Sequence, residues 1–143
     1  MRVSQVLKVK GDMVFTASPN ETIGAVAALL HARRVGAMVV VDEARSVIGI
    51  VSERDIVRIV AESGGENLGQ PVSACMTRDV IFAEPNQTVE SLLELMTDRR
   101  IRHLPVVHDG RLLGIISIGD LVKTKIAETE AEAEELRAYI SAG

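Results

Sequence analysis

A single cysteine, Cys75, stands among 143 residues, so no intrachain disulfide can form and a reducing, cytoplasmic setting is the simplest expectation. Tryptophan is absent, and Phe15, Phe82 and Tyr139 are the only aromatic residues. Base stacking of the kind used by single-strand nucleic-acid binders therefore has little to work with. Long apolar runs are also missing. The longest strongly apolar stretch, Met38 to Val41, is far too short to span a bilayer, and Met1 to Gln5 shows no basic segment leading into an apolar one. Neither secretion nor membrane insertion is expected. Charge of one sign is lacking over most of the chain: residues 1–126 balance 15 Lys and Arg against 15 Asp and Glu. The last 17 residues hold five glutamates against Arg137 and account for the whole net charge of −4. A neutral body lacks the broad basic field of a nucleic-acid binder, and Arg33-Arg34 and Arg99-Arg100-Ile101-Arg102 read first as solvated helix ends. With 47% hydrophobic and 25% charged residues the composition is that of an ordinary globular chain, long enough to bury roughly two thirds of its extended surface without a staple.

What is present is a duplication. Pro19-Asn20-Glu21-Thr22-Ile23 returns as Pro85-Asn86-Gln87-Thr88-Val89, 66 residues later. Ile23, Val26, Ala27 and Leu30 lie at helical spacing after Thr22, and Val89, Leu92, Leu93 and Met96 repeat that spacing after Thr88. Each helix closes on a double arginine, where cations oppose the negative end of the helix dipole. Two β-branched runs follow, Ala37 to Val41 and His103 to Val107, each turning into a second strand that ends in Gly49-Ile50-Val51-Ser52-Glu53-Arg54-Asp55 or Gly114-Ile115-Ile116-Ser117-Ile118-Gly119-Asp120. The Asp109-Gly110 pair is a strong hairpin signal, and the longer Asp42 to Ser46 turn makes the offset 65 from there on. A further helix starts with Ile56, Val57 and Val60, or with Leu121, Val122 and Ile126. Short leading strands are expected near Val14 to Ala17 and Val80 to Ala83, preceded by helical candidates at Val3 to Lys8 and Val72 to Met76. Pro105 is placed at a strand start, where a missing N–H is tolerated.

The expected organisation is a first repeat at 1–62 with its lead-in, a linker at 63–71 rich in turn formers, a second repeat at 72–126 and an acidic helical tail at 127–143. A unit of about 60 residues has a marginal core alone, so two copies packed sheet against sheet about a pseudo-twofold axis is the economical arrangement.

The Pro-led helix, the apolar hairpin and the terminal Gly-Ile-[Val/Ile]-Ser-x-x-Asp, all doubled, resemble a pair of CBS (cystathionine-β-synthase) domains, the arrangement called a Bateman module. The resemblance runs from about Val3 to Ile126. It implies an α+β fold of two tandem βαββα repeats with the tail as a C-terminal helical extension, clefts that commonly take adenosine-containing nucleotides, and frequent pairing into a homodimer.

Ser-x-x-Asp ahead of an apolar run is also a helix capping box, and on that reading Ser52 and Ser117 are N-caps while Asp55 and Asp120 answer the dipole. The second reading starts from the place of the motif, where a strand meets a helix N-terminus whose free N–H groups suit a phosphate. A carboxylate there would repel the phosphate but can accept from the two hydroxyls of a ribose.

The resemblance further implies that each cleft draws on both repeats. One would combine Ser117, Ile118 and Asp120 with Thr16, Ala17, Gly36, Ala37 and Met38, and Arg54 reaching toward the phosphates. The other would combine Ser52, Asp55 and the same Arg54 with Ala83, Arg102, His103 and Leu104. Thr16 is replaced by Phe82 and Arg54 by Gly119 between the repeats, so the two clefts should differ, and the first is the better adenosine pocket.

No metal is expected, because His31, His103 and His108 are scattered and Cys75 is alone. His103 is read either as a cleft residue or as a plain strand entry, and Cys75 with Met76 as packing beneath the second leading strand. In the tail, Ile126, Ala133, Leu136 and Ile140 form a narrow apolar stripe suited to a partner helix or the module's own flank. The leading expectation is a non-catalytic sensor that requires no cofactor and binds AMP, ADP, ATP or NAD, with S-adenosylmethionine less favoured because Arg54 suits an anion. A docking or dimerisation module with empty clefts is the alternative. An enzyme is expected least, for there is no nucleophile elbow, P-loop or dinucleotide fingerprint.

Overall fold

The computed structural model describes residues 1–11 and 14–142. The elements run α1 (Val3–Lys10), β1 (Thr16–Ala17), α2 (Ile23–Arg33), β2 (Ala37–Val41), β3 (Val47–Ser52), α3 (Glu53–Ser63), α4 (Val89–Arg99), β4 (His103–His108), β5 (Arg111–Ser117) and α5 (Ile118–Ala142). Two 3-10 turns, Glu66–Gly69 and Val72–Ala74, lie between α3 and α4. The chain divides into two compact units, one formed by Met13–Ile81 with Asp109–Leu112 and the other by Met1–Asp12, Phe82–His108 and Leu113–Gly143.

In the first unit, β2 lies between β1 and β3. β1 runs parallel to β2, pairing Thr16 with Val39 and Ala17 with Val40, and β3 returns antiparallel with Ala37 opposite Ser52 and Met38 opposite Val51. The hairpin turn is tied by Asp42, whose carboxylate accepts from the Ser46 amide at 2.9 Å. α2 starts at Thr22, whose hydroxyl accepts from the Ala25 amide at 3.1 Å, and lays Ile23, Val26 and Leu30 on Met38, Val40 and Val51. Cys75 and Met76 close this core instead of packing beneath the second leading strand, because the segment that carries them is bonded through Val72 and Ser73 to Glu21 and Pro19. Burial, reinforced by the Asp55 charge and only partly offset by Arg58, pushes the Cys75 thiol above its ordinary value.

The second unit repeats the plan: β4 pairs with β5, and α4 opens at Thr88 with the same hydroxyl-to-amide cap, here to Ser91 at 3.1 Å. Val89, Leu92, Met96, Leu104, Val106, Ile116 and Leu121 are buried. The leading strand expected over Val80 to Ala83 shrinks to one parallel bridge between Ala83 and Val106. Pro105 stands third in β4 and turns its carbonyl to the Ala83 amide at 2.9 Å. A residue's N–H and C=O lie on the same side of a strand, so the missing N–H faces this sparsely paired side and costs no β4–β5 bond.

The two lead-ins are exchanged. Val3 and Ser4 donate to the carbonyls of Gln87 and Pro85, while the Val89 amide donates to Met1. In the other unit Val72 and Ser73 donate to Glu21 and Pro19, and Ile23 donates to Gln70. Each unit thus joins the lead-in of one repeat to the helix and hairpin of the other. The Val72 to Met76 helical candidate is a single 3-10 turn followed by Cys75 and Met76.

Candidate functional site

Both Ser-x-x-Asp motifs sit where a hairpin strand passes straight into a helix, and both form capping boxes. At the first junction Asp55 Oδ2 accepts from the Ser52 amide at 2.9 Å and the Ser52 hydroxyl at 3.1 Å, and the Asp55 amide returns to that hydroxyl at 3.4 Å. At the second, Asp120 Oδ2 accepts from the Ser117 amide at 2.8 Å, and the Asp120 amide donates to the Ser117 hydroxyl at 3.1 Å. Capping is therefore real at both, as the doubled sequence pattern allows.

The two carboxylates differ in what remains. Asp55 is 7% exposed and its Oδ1 is taken by Arg58 at 3.1 Å, with Arg58 also reaching the Cys75 carbonyl at 3.5 Å. Both oxygens of Asp55 are occupied. Asp120 uses Oδ2 alone, for Ser117 and for the Lys10 ammonium at 2.7 Å, so Oδ1 has no hydrogen-bond partner among the described residues. Lys10 also donates to the Ile115 carbonyl at 2.6 Å, which fixes it beside β5. Burial raises the Asp120 carboxyl, but the hydrogen bonds from Lys10 and Ser117 and the Lys10 charge outweigh it, and the group lies below its ordinary value.

A second feature shared by the junctions is the strand-entry carbonyl. Gly36 accepts from the Glu53 amide at 2.9 Å, and Arg102 accepts from the Ile118 amide at 2.8 Å. One orphan donor at each helix start is thereby satisfied by the neighbouring strand.

Of the residues expected to bind, Thr16, Ala17, Gly36, Ala37, Met38, Ser52, Arg54 and Asp55 lie in the first unit, and Ala83, Arg102, His103, Leu104, Ser117, Ile118 and Asp120 in the second. The first unit brings Ala37 opposite Ser52 and Gly36 against Glu53. Ala17, Ala37 and Met38 are buried, as are Ala83 and Leu104 in the second unit. Arg54 and Arg102 are exposed, and Arg54 has no ion pair among the described residues. Thr16 and His103 are half-buried.

Two features had escaped the sequence. Lys10 sits 110 positions from Asp120, and no local pattern announces that pairing. An open depression of about 400 Å³ in the first unit is lined by Leu30, His31, Ala32, Arg34 and Glu53, where the end of α2 meets the start of α3. No group of three or more His, Cys, Asp or Glu among the described residues is placed to hold a metal ion, and none of their helices is long and apolar enough to cross a membrane.

Solved structures share this architecture. The CBS-domain containing protein ATU1752 from Agrobacterium tumefaciens is 47% identical with a TM-score of 0.85, over 87% of this chain and 92% of that one. The CBS domain pair of protein MJ0100, in complex with 5-methylthioadenosine and S-adenosyl-L-methionine, is 26% identical with a TM-score of 0.80, over 90% and 98%. The CBS domain protein PAE2072 from Pyrobaculum aerophilum, complexed with AMP, is 31% identical with a TM-score of 0.75, over 84% and 89%. The CBS-domain family matches the sequence twice, over residues 9–62 and 72–126, and the chain belongs to that family as a tandem pair.

Proposed function

We propose that this chain is a non-catalytic regulatory module that binds an adenosine-containing nucleotide, with the Ser117–Asp120 junction as its principal anchor. The observation that carries the reading is the half-satisfied Asp120 carboxylate. Its Oδ2 completes the helix cap, and its Oδ1 is left to accept from ribose hydroxyls. Ile118, Gly119 and Asp120 begin α5, where the positive end of the helix dipole favours a phosphate. The Lys10 ammonium beside Asp120 adds cationic charge, which favours AMP, ADP, ATP or NAD over a ligand with a positive sulfonium. The PAE2072 complex with AMP supports this choice, and the MJ0100 complex keeps S-adenosylmethionine and methylthioadenosine as comparison ligands.

Thr16, Ala17, Gly36, Ala37 and Met38 belong to this proposal as the walls for the base, and Ser52, Asp55, Ala83, Arg102, His103 and Leu104 as a weaker second site. Both oxygens of Asp55 are already bonded, so ribose binding there must displace Arg58.

Self-association is part of the same reading. Val57 and Val60 on α3 are 66% and 44% exposed, and Val122 and Ile126 on α5 are 44% and 54% exposed. Val57 and Val122 hold equivalent places in the two repeats, and the four exposed apolar side chains support a homodimer. They are also what a ligand-free docking module would present.

Thermal unfolding separates the readings. A nucleotide at about 100 times its Kd adds ~2.7 kcal/mol of stability, so AMP, ADP, ATP or NAD should raise the melting temperature clearly. Flat melting with all four, and with S-adenosylmethionine and methylthioadenosine, favours the docking module.

A further inference from the structure

α5 is one unbroken helix from Ile118 to Ala142. One face is committed to its own unit: Leu121 is fully buried, and Glu128 receives the chain's N-terminal ammonium at 2.7 Å. On the adjoining face Val122, Ile126, Thr129, Ala133, Leu136 and Ile140 follow one another at steps of 4, 3, 4, 3 and 4. Val122, Ile126, Leu136 and Ile140 are 44%, 54%, 60% and 66% exposed. That alternation is the heptad seam of a coiled coil, carried over almost three heptads.

The charges beside the seam choose the occupant. With Val122, Thr129 and Leu136 at d and Ile126, Ala133 and Ile140 at a, the g positions hold Lys125 and Glu132 and the e positions hold Lys123, Glu130 and Arg137. In a parallel pair each g side chain meets the e position five residues further along the other helix. Lys125 then meets Glu130 of the second copy, and Glu132 meets its Arg137. Both pairs are of opposite sign and each occurs twice. Only one antiparallel register covers the whole seam, setting Val122 against Ile140 and Ile126 against Leu136; shifted registers leave either Leu136 and Ile140 or Val122 and Ile126 uncovered. In that register Glu132 faces Glu132, Glu130 faces Glu130 and Lys123 faces Arg137. Every one of those pairs is of like sign. Lys125 is already shared with Glu90 at 3.0 Å, whereas Glu130, Glu132 and Arg137 have no ion pair among the described residues. Glu132 and Arg137 are thus the deciding pair.

We infer that α5 pairs in parallel with α5 of a second copy of this chain, in register along Val122 to Ile140, so that the two tails leave the dimer side by side. The inference rests on the self-association proposed above and adds its element, register and direction. The weak Thr129 and Ala133 layers keep this seam subordinate to the module's own contacts, because a helix pair of this length is marginal alone.

The test uses the full chain. Under a short bismaleimide crosslinker in a Cys75→Ala background, Leu136→Cys should join into covalent dimers while Ala131→Cys, on the outer face, stays monomeric. In sedimentation, with Cys75 retained, E132R should weaken dimerisation about tenfold by turning two attractions into repulsions, and E132R with R137E should restore it. A monomeric wild type overturns both the dimer and the seam. A dimer that neither crosslinks at position 136 nor responds to E132R overturns the seam alone. Weakening by E132R that R137E fails to rescue overturns the parallel register.

Discussion

Lys10 Nζ stands 2.7 Å from Asp120 Oδ2, joining the end of α1 to the start of α5. The lead-in of the first repeat therefore supplies the counter-ion for the carboxylate of the second. Removing the ammonium removes the strongest of the contacts that lower the Asp120 carboxyl.

The pH dependence follows in sign. A carboxyl held below its unfolded value adds stability that is complete above that value, about 3.9 for Asp, and fades as pH falls through the folded value. Wild type should exceed Lys10→Met in urea midpoint at neutral pH, and the gap should close progressively below about pH 4. A gap that stays constant into strong acid would show that Lys10 acts through packing.

The aspartates should separate stability from binding. Asp55 is buried and bonded at both oxygens, so Asp55→Ala strands the Ser52 amide and Arg58 and costs about 1–3 kcal/mol in urea unfolding. Asp120→Asn keeps an acceptor for the Ser117 amide but removes the charge offered to a ribose. Without ligand it should lose about what Lys10→Met loses, because both break the Lys10 pair, and it should lose most of the nucleotide-induced shift. An undiminished shift in Asp120→Asn removes this carboxylate from the site.

Gly49 and Gly114 are equivalent positions in β3 and β5, and each is pressed by its unit's lead-in. A Cβ on Gly114 would lie 2.6 Å from Leu7 Cδ2, the end of a side chain that can turn away. A Cβ on Gly49 would meet Met76 Sδ at 2.5 Å and the Thr77 carbonyl at 3.1 Å, and Thr77 is tied to Ile50 by backbone bonds in both directions. Both substitutions to Ala should destabilise by about 1–3 kcal/mol, with Gly49→Ala the worse. Leu7→Ala should relieve Gly114→Ala in a double-mutant cycle, and simple additivity would refute the contact.

The repeat, the helix faces and the hairpins were legible because each rests on local periodicity and turn chemistry. Thr22 and Thr88 announce their helices, and Asp109-Gly110 announces its turn with φ of 50° and 74°. The exchange of lead-ins was not legible: Val3 and Val72 look alike in sequence, and only long-range bonds to Gln87 and Glu21 decide which body each joins. The same limit hid Lys10 from Asp120. At the Ser-x-x-Asp junctions the sequence left capping and ligand binding both open. The structure separates the two copies by a residue outside the motif, Arg58, which fills the oxygen of Asp55 that Asp120 keeps vacant.

The double arginines held a backbone feature that charge alone does not reveal. Arg34 and Arg100 adopt φ of 55° and 54° with ψ of 42°, the left-handed conformation that usually falls to glycine after a helix. The following amides, Val35 and Ile101, donate back to the carbonyls of Leu30 and Met96 at 3.2 Å and 3.1 Å, which is the Schellman closure. A side chain in that region costs about 1–2 kcal/mol, and both arginines are exposed, so their removal forfeits little packing. Part of the gain is returned through the greater freedom of an unfolded glycine. Arg34→Gly and Arg100→Gly should each raise stability by about 0.5–1 kcal/mol in urea titrations. A loss in either would mean that its guanidinium makes a contact stronger than the backbone strain it imposes, and a midpoint that rises with protein concentration would assign that contact to the proposed dimer.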